Sequence, residues 1–199
     1  MQTKIGFTGR GDLFMVFKNV YEEGACYKDD VLSLYDIAFP EEEKKPVGYI
    51  EKLVSENKMS VYAILEEDEF AGLVITLTDK KSTILDFFAI CPDKRGKGLG
   101  GKALKILKEK YKDKPFILEI ETIDEYADNI RERIRRKNFY LRNGMKETGV
   151  IVNMYQVDYE LLGFDGKLSF EIYDELMKNI HGDEIEHHLM QVSKKEREK

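Results

Sequence analysis

The sequence has no tryptophan and only four prolines. No apolar run approaches the roughly 20 residues that a bilayer-spanning helix needs, and the first residues lack the continuous apolar stretch of a secretory signal. Two cysteines, Cys26 and Cys91, are too few for a disulfide framework and point to a reducing, cytoplasmic setting. A basic excess is missing as well. With 32 Lys and Arg against 38 Asp and Glu, the formal net charge is −6, which excludes a general nucleic-acid binder with a basic face. Of the three histidines, His187 and His188 are adjacent on a presumed helix and diverge, and no cysteine or carboxylate completes a ligand spacing with His181, so no metal is expected. What the chain does have is core material. Its 199 residues are 42% hydrophobic with 11 Phe and 11 Tyr, enough for one globular domain and an appendage.

The pattern of residues gives an alternating order of elements. Phe14 to Tyr21 reads as a strand; Asp29 or Asp30 can cap a helix through Ala38 that stops at Pro40; Pro46 can open a second helix bearing Ile50, Leu53 and Val54. Ser60 to Leu65 and Phe70 to Thr78 form a hairpin around polar Glu66 to Glu69. Thr83 to Ile90 and Phe116 to Glu121 are short apolar strands that flank a helix from Leu99 to Tyr111, a βαβ-like unit. A helix from about Ala127 to Asn143 stops at Gly144, and strands follow near Glu147 to Val152 and Val157 to Leu162. Ser169 can cap a further helix, and a second helix is expected beyond Asp183. Residues 1–12, with three glycines, read as a flexible lead.

Between the strand ending at Ile90 and the helix opening at Leu99 lies Arg95-Gly96-Lys97-Gly98-Leu99-Gly100-Gly101. Backbone N–H groups at such a junction are unpaired and the helix dipole adds positive charge, so the run is a cradle for an anion, with Arg95 and Lys97 at its rim. It is not a P-loop, since no Gly-x-x-x-x-Gly-Lys-Ser/Thr string occurs, and its glycines do not have the dinucleotide spacing. What remains is Arg-x-x-Gly-x-Gly at Arg95, Gly98 and Gly100. Farther on stands Phe139-Tyr140-x-x-x-Gly144-Met145. These two strings, in this order, resemble the pyrophosphate loop and the Phe-Tyr-x-x-x-Gly-Phe helix ending of the GCN5-related N-acetyltransferase (GNAT) family. Met145 replaces the usual Phe, and Arg133 stands where many members carry an Asn seven residues before the tyrosine.

The resemblance covers about residues 14 to 163. It implies an α/β (α+β) fold: a mixed, mostly antiparallel central sheet of about seven strands flanked by helices. The domain would occupy residues 13–164 and a C-terminal helical extension residues 165–199. It also implies acetyl-CoA as cosubstrate and transfer of its acetyl group to a primary amine of a small molecule or peptide by direct attack. The pyrophosphate would lie on Arg95 to Gly101, that is Arg95, Gly96, Lys97, Gly98, Leu99, Gly100 and Gly101. The thioester carbonyl would meet backbone N–H groups of Phe88, Ala89 and Ile90, and Tyr140 would protonate the departing thiolate.

A base is needed too, because the attacking amine must lose a proton. Strand alternation puts Glu119 and Glu121 on one face of Phe116 to Glu121, so both are candidates, Glu121 first, with Asp86 a third. Equally, the two glutamates could be paired with arginines of the next helix, where Arg131, Arg133, Arg135, Arg136 and Lys137 cluster. Together with Glu41, Glu42, Glu43, Asp124 and Glu125, these carboxylates suit a cationic acceptor. Two other readings compete with the enzyme: an acyl-CoA-binding regulatory module without turnover, and an interaction protein that uses C-terminal helices whose apolar faces could also join two copies.

Overall fold

A computed structural model describes residues 14–192, so the expected N-terminal lead and residues 193–199 lie outside the described residues. The described chain divides into two compact units, one of residues 14–77 with Leu85–Lys110, the other of Thr78–Ile84 with residues 111–192.

In the first unit, β1 (Met15–Asn19), β2 (Met59–Glu66), β3 (Glu69–Thr78) and most of β4 (Thr83–Ile90) are neighbours in that order. β1 and β2 are antiparallel with Met15 opposite Glu66, and β2 and β3 form the expected hairpin. Its two turn residues, Glu67 and Asp68, take φ of 51° and 64°, the left-handed pair that matches the twist of the strands. β2 buries Val61 to Leu65 without a break, as a strand covered on both faces must. α1 (Lys28–Ala38) and α2 (Val47–Ser55) lie between β1 and β2 in sequence, and α3 (Leu99–Lys110) follows β4. α1 differs from expectation in its cap: Tyr27 is the N-cap residue, and Asp29 and Asp30 sit in the first turn, where their charges favour the helix dipole. α3 buries Leu99, Ala103, Leu104, Ile106 and Leu107, one stripe at helical spacing.

The second unit holds β5 (Phe116–Glu121), β6 (Lys146–Met154), β7 (Val157–Gly163) and β8 (Leu189–Gln191), ordered β5-β7-β6-β8 with antiparallel neighbours. α4 (Ile130–Arg142) precedes β6 and ends at Gly144, whose φ of 89° provides the expected stop. α5 (Phe170–His181) buries Tyr173, Leu176, Met177 and Ile180, the i, i+3, i+4, i+7 stripe of an amphipathic helix. The second C-terminal helix does not form. Gly182, at φ 83°, ends α5, a single 3-10 turn (Asp183–His187) follows, and the chain then pairs as β8 with the outer edge of β6. That edge offers unpaired N–H and C=O groups, and Leu189 is buried on joining it. The strands among the described residues therefore number eight rather than about seven.

Candidate active site

Within the first unit, β4 leads through a 3-10 turn (Pro92–Lys94) into the glycine loop. Gly96 and Gly98 both take φ of +79°, a left-handed conformation that glycine alone adopts without penalty, and no atom would obstruct a side chain at either. The glycines are thus there for backbone shape. Lys102 N–H donates to Gly98 C=O at 3.2 Å, so the earlier N–H groups of α3, on Leu99, Gly100 and Gly101, are those that helix geometry leaves for an external acceptor. Arg95 folds back, its Nε donating to Ile90 C=O at 3.0 Å, and Lys94 is tied to Glu69 at 2.8 Å; Arg95 and Lys97 are exposed.

Upstream of the loop, Phe88, Ala89 and Ile90 run beside β3 at Gly72. A Cβ on Gly72 would lie 2.3 Å from Ala89 C=O, so only glycine permits this approach of the two backbones. Asp86 Oδ1 accepts from Lys45 Nζ at 2.8 Å, while Asp86 Oδ2 is buried without a hydrogen-bond partner. Lys45 also lies 5.0 Å from the Phe87 ring centroid, and its backbone N–H donates to Tyr35 Oη at 2.7 Å. Tyr35, Phe39 and Phe87 pack edge to face or tilted, with centroids 4.8–5.6 Å apart. Cys91 is half-buried, and burial pushes its thiol up, which does not suit a thiolate nucleophile.

Within the second unit, the two candidate glutamates part company. They share backbone parity on β5, but their partners come from different helices. Glu121 Oε1 is 2.7 Å from Arg133 Nη2 and Oε2 is 3.8 Å from Arg136 Nη1, both on α4. Glu119 Oε1 accepts a hydrogen bond from Tyr173 Oη on α5. Arg133 is further fixed by donating to Thr122 C=O at 2.9 Å and Asn129 Oδ1 at 2.7 Å. Lys137 bridges Glu147 and Glu160 at 2.5 and 2.7 Å. Arg133, Arg136 and Lys137 are therefore engaged with carboxylates of their own unit rather than arrayed for a polyanion. Tyr140 is buried, and burial pushes its phenol up to about 12 against a smaller opposing effect of Arg136. A phenol so held stays protonated at neutral pH, which rules out a base.

The acidic run at Glu41 is partly neutralised, since Lys44 lies 2.7 Å from Glu41 and 2.6 Å from Asp36. His188 stacks on Tyr155 at 4.6 Å, and no group of three or more metal-ligating side chains occurs among the described residues. No helix among them is long and apolar enough to cross a membrane. Sequence reasoning missed Lys45, Gly72 and Tyr173. Gly72 had left a signal, because a glycine inside a strand marks a bulge or a close backbone approach. Lys45 and Tyr173 left none, since their partners, Asp86 and Glu119, are 41 and 54 residues away in sequence.

Comparison with known proteins agrees with this architecture. The chain is 35% identical over 109 residues to a Bacillus subtilis (strain 168) protein named "Putative acetyltransferase YjbC"; the match takes in 54% of this chain and 52% of that one, so the chain spans about half the length of that relative. Among solved structures, a GNAT-family protein from Bacteroides thetaiotaomicron superposes with a TM-score of 0.67 at 21% identity, covering 83% of this chain and 98% of that one. A GNAT family acetyltransferase from Elizabethkingia anophelis with acetyl-CoA bound superposes at 0.53 and 17% identity, covering 75% and 96%. Both likenesses are in fold. The family model described as "Acetyltransferase (GNAT) family" matches residues 28–145, more than half of the chain, and the protein belongs to that family.

Proposed function

We propose that the protein is an N-acetyltransferase that moves an acetyl group from acetyl-CoA to a primary amine of a small molecule or a peptide by direct attack. The observation that carries this reading is the loop before α3, with Gly96 and Gly98 both at φ +79° and the first N–H groups of α3 left for an anion. That is the shape a pyrophosphate needs, in a chain of the matching family. Acetyl-CoA supplies an activated thioester. The chain supplies the rest.

The N–H groups of Leu99, Gly100 and Gly101, with Arg95, Gly96, Lys97 and Gly98, hold the pyrophosphate. The N–H groups of Phe88, Ala89 and Ile90 meet the thioester carbonyl and the oxyanion that replaces it. Tyr140, its phenol neutral at physiological pH, gives its proton to the thiolate. For the base we place Glu119 ahead of Glu121, because protonating Glu121 would break its pair with Arg133 and Arg136. Carboxylates at Glu41, Glu42, Glu43, Asp124 and Glu125 favour a cationic acceptor.

The test is thiol release from acetyl-CoA with a panel of amines, polyamines, aminoglycosides, amino acids and peptides. Release with at least one amine, saturable in both substrates, is expected. Binding of acetyl-CoA without release above the amine-free rate would overturn the enzymatic reading, and absence of binding would overturn the assignment of the loop as well.

A further inference from the structure

The C-terminal segment beyond β7 has no part in the chemistry assigned above, yet it is firmly built into its unit. α5 buries Leu176, Met177 and Ile180; Lys81 is tied to Glu175 at 2.6 Å, and Asn179 donates to Asp79 at 2.9 Å. β8 then joins the edge of β6. At the centre of this platform Tyr173 is wholly buried, and its hydroxyl donates to Glu119 Oε1 while lying 3.9 Å from Met154 Sδ. A buried phenol that meets a carboxylate makes a charge-assisted bond, about twice as strong as one between neutral groups. Such a bond fixes the glutamate's rotamer and favours its charged, proton-accepting form.

We infer that Tyr173 is a positioning residue for acetyl transfer, holding the Glu119 carboxylate as the base that takes the proton from the attacking amine. The inference rests on the proposed N-acetyltransferase reading. It makes the C-terminal extension part of the working enzyme. Leu161 is the register partner of Glu119 on β7, Met154 comes from β6, and Tyr173 from α5. On β5 itself the next carboxylate of the same parity is Glu121, paired with Arg133 and Arg136 of α4; on β7 the adjacent charge, Glu160, lies opposite Ile120 and is paired with Lys137 of α4.

The experiment compares pH–rate profiles of kcat/KM for the full chain and for two changes at Tyr173 that act in opposite senses. Tyr173→Phe removes the donor, so the acidic limb should move up by about one pH unit and kcat should fall about 10- to 100-fold, with KM for acetyl-CoA unchanged. A 3-fluorotyrosine at position 173 keeps the ring and hydroxyl but donates more strongly, so the limb should move down. Glu119→Gln should remove the limb, and adding Tyr173→Phe to it should cost little more. Packing alone does not produce opposite shifts. Profiles that superimpose, or a limb retained in Glu119→Gln, would overturn the inference while leaving the enzymatic reading intact. A wild-type chain that released no thiol would overturn both.

Discussion

Gly72 on β3 and Ala89 on β4 approach so closely that a Cβ on the glycine would come within 2.3 Å of the Ala89 carbonyl oxygen. Backbone, not a pliable side-chain tip, is what it would strike. Gly72→Ala must therefore push β4 away just where Phe88, Ala89 and Ile90 are assigned to the thioester. Overpacking of this kind costs about 1–3 kcal/mol. Urea denaturation should show a midpoint lowered accordingly, and calorimetric titration should show weaker acetyl-CoA binding. An unchanged midpoint would mean that the strands separate freely and that the contact has no structural consequence.

Gly98 raises the opposite case, because nothing lies within 4 Å of where its Cβ would be. Its constraint is φ alone, at +79°. Gly98→Ala should cost about 1–2 kcal/mol if the loop keeps its shape, or escape the strain by changing shape and losing acetyl-CoA affinity. Gly48 is the control. It sits in the first turn of α2 with equal room and no left-handed φ, so Gly48→Ala should stabilise by about 0.5–1 kcal/mol. Melting temperatures that moved the same way in both variants would contradict this division.

Much of this fold was legible in the sequence because its signals are local. β4 and β5 carry the bounds expected from their apolar runs, the stop at Gly144 follows from glycine's tolerance of left-handed backbone, and the hairpin at Glu67-Asp68 follows from a short polar stretch between two apolar runs. The C-terminal end was not legible. Asp183 to Gln191 has enough apolar residues for a helix, and only the waiting edge of β6 makes its last part a strand. For the site, the glycine loop announced itself through spacing. The fate of Glu119 and Glu121 did not, because alternation fixes where a side chain leaves the strand and says nothing of which helix delivers its partner.

Glu121→Gln tests that last point. The Glu121–Arg133 pair has side chains only 19% and 17% exposed, between the surface pairs that contribute little and the buried pairs whose rupture is severe. Removing the charge leaves Arg133 half-buried with two neutral acceptors, Thr122 C=O and Asn129 Oδ1. A loss of about 1–3 kcal/mol in denaturant titration is expected. The acidic limb of the pH–rate profile should survive. Its disappearance would return the base role to Glu121.

The buried Tyr140 phenol should make stability fall at alkaline pH. Burial holds its phenol at about 12 in the folded chain, whereas an unfolded tyrosine ionises near 10. Below pH 10 the phenol is neutral in both states, so the stability linked to the raised value is fully present. As pH rises from 10 towards 12 the unfolded chain ionises first, protons are released on unfolding, and stability falls, by about 2 kcal/mol at the far end. Tyr140→Phe cannot ionise and should escape this loss. Urea midpoints of the two proteins should therefore run parallel from pH 7 to 9 and converge or cross above 10. The same variant should release thiol about 100-fold more slowly at pH 8 with acetyl-CoA affinity nearly unchanged, because it lacks the proton for the leaving thiolate. Parallel midpoints up to pH 11.5 would show that the phenol gains water on ionising, and unchanged turnover would remove Tyr140 from the proton-transfer chemistry.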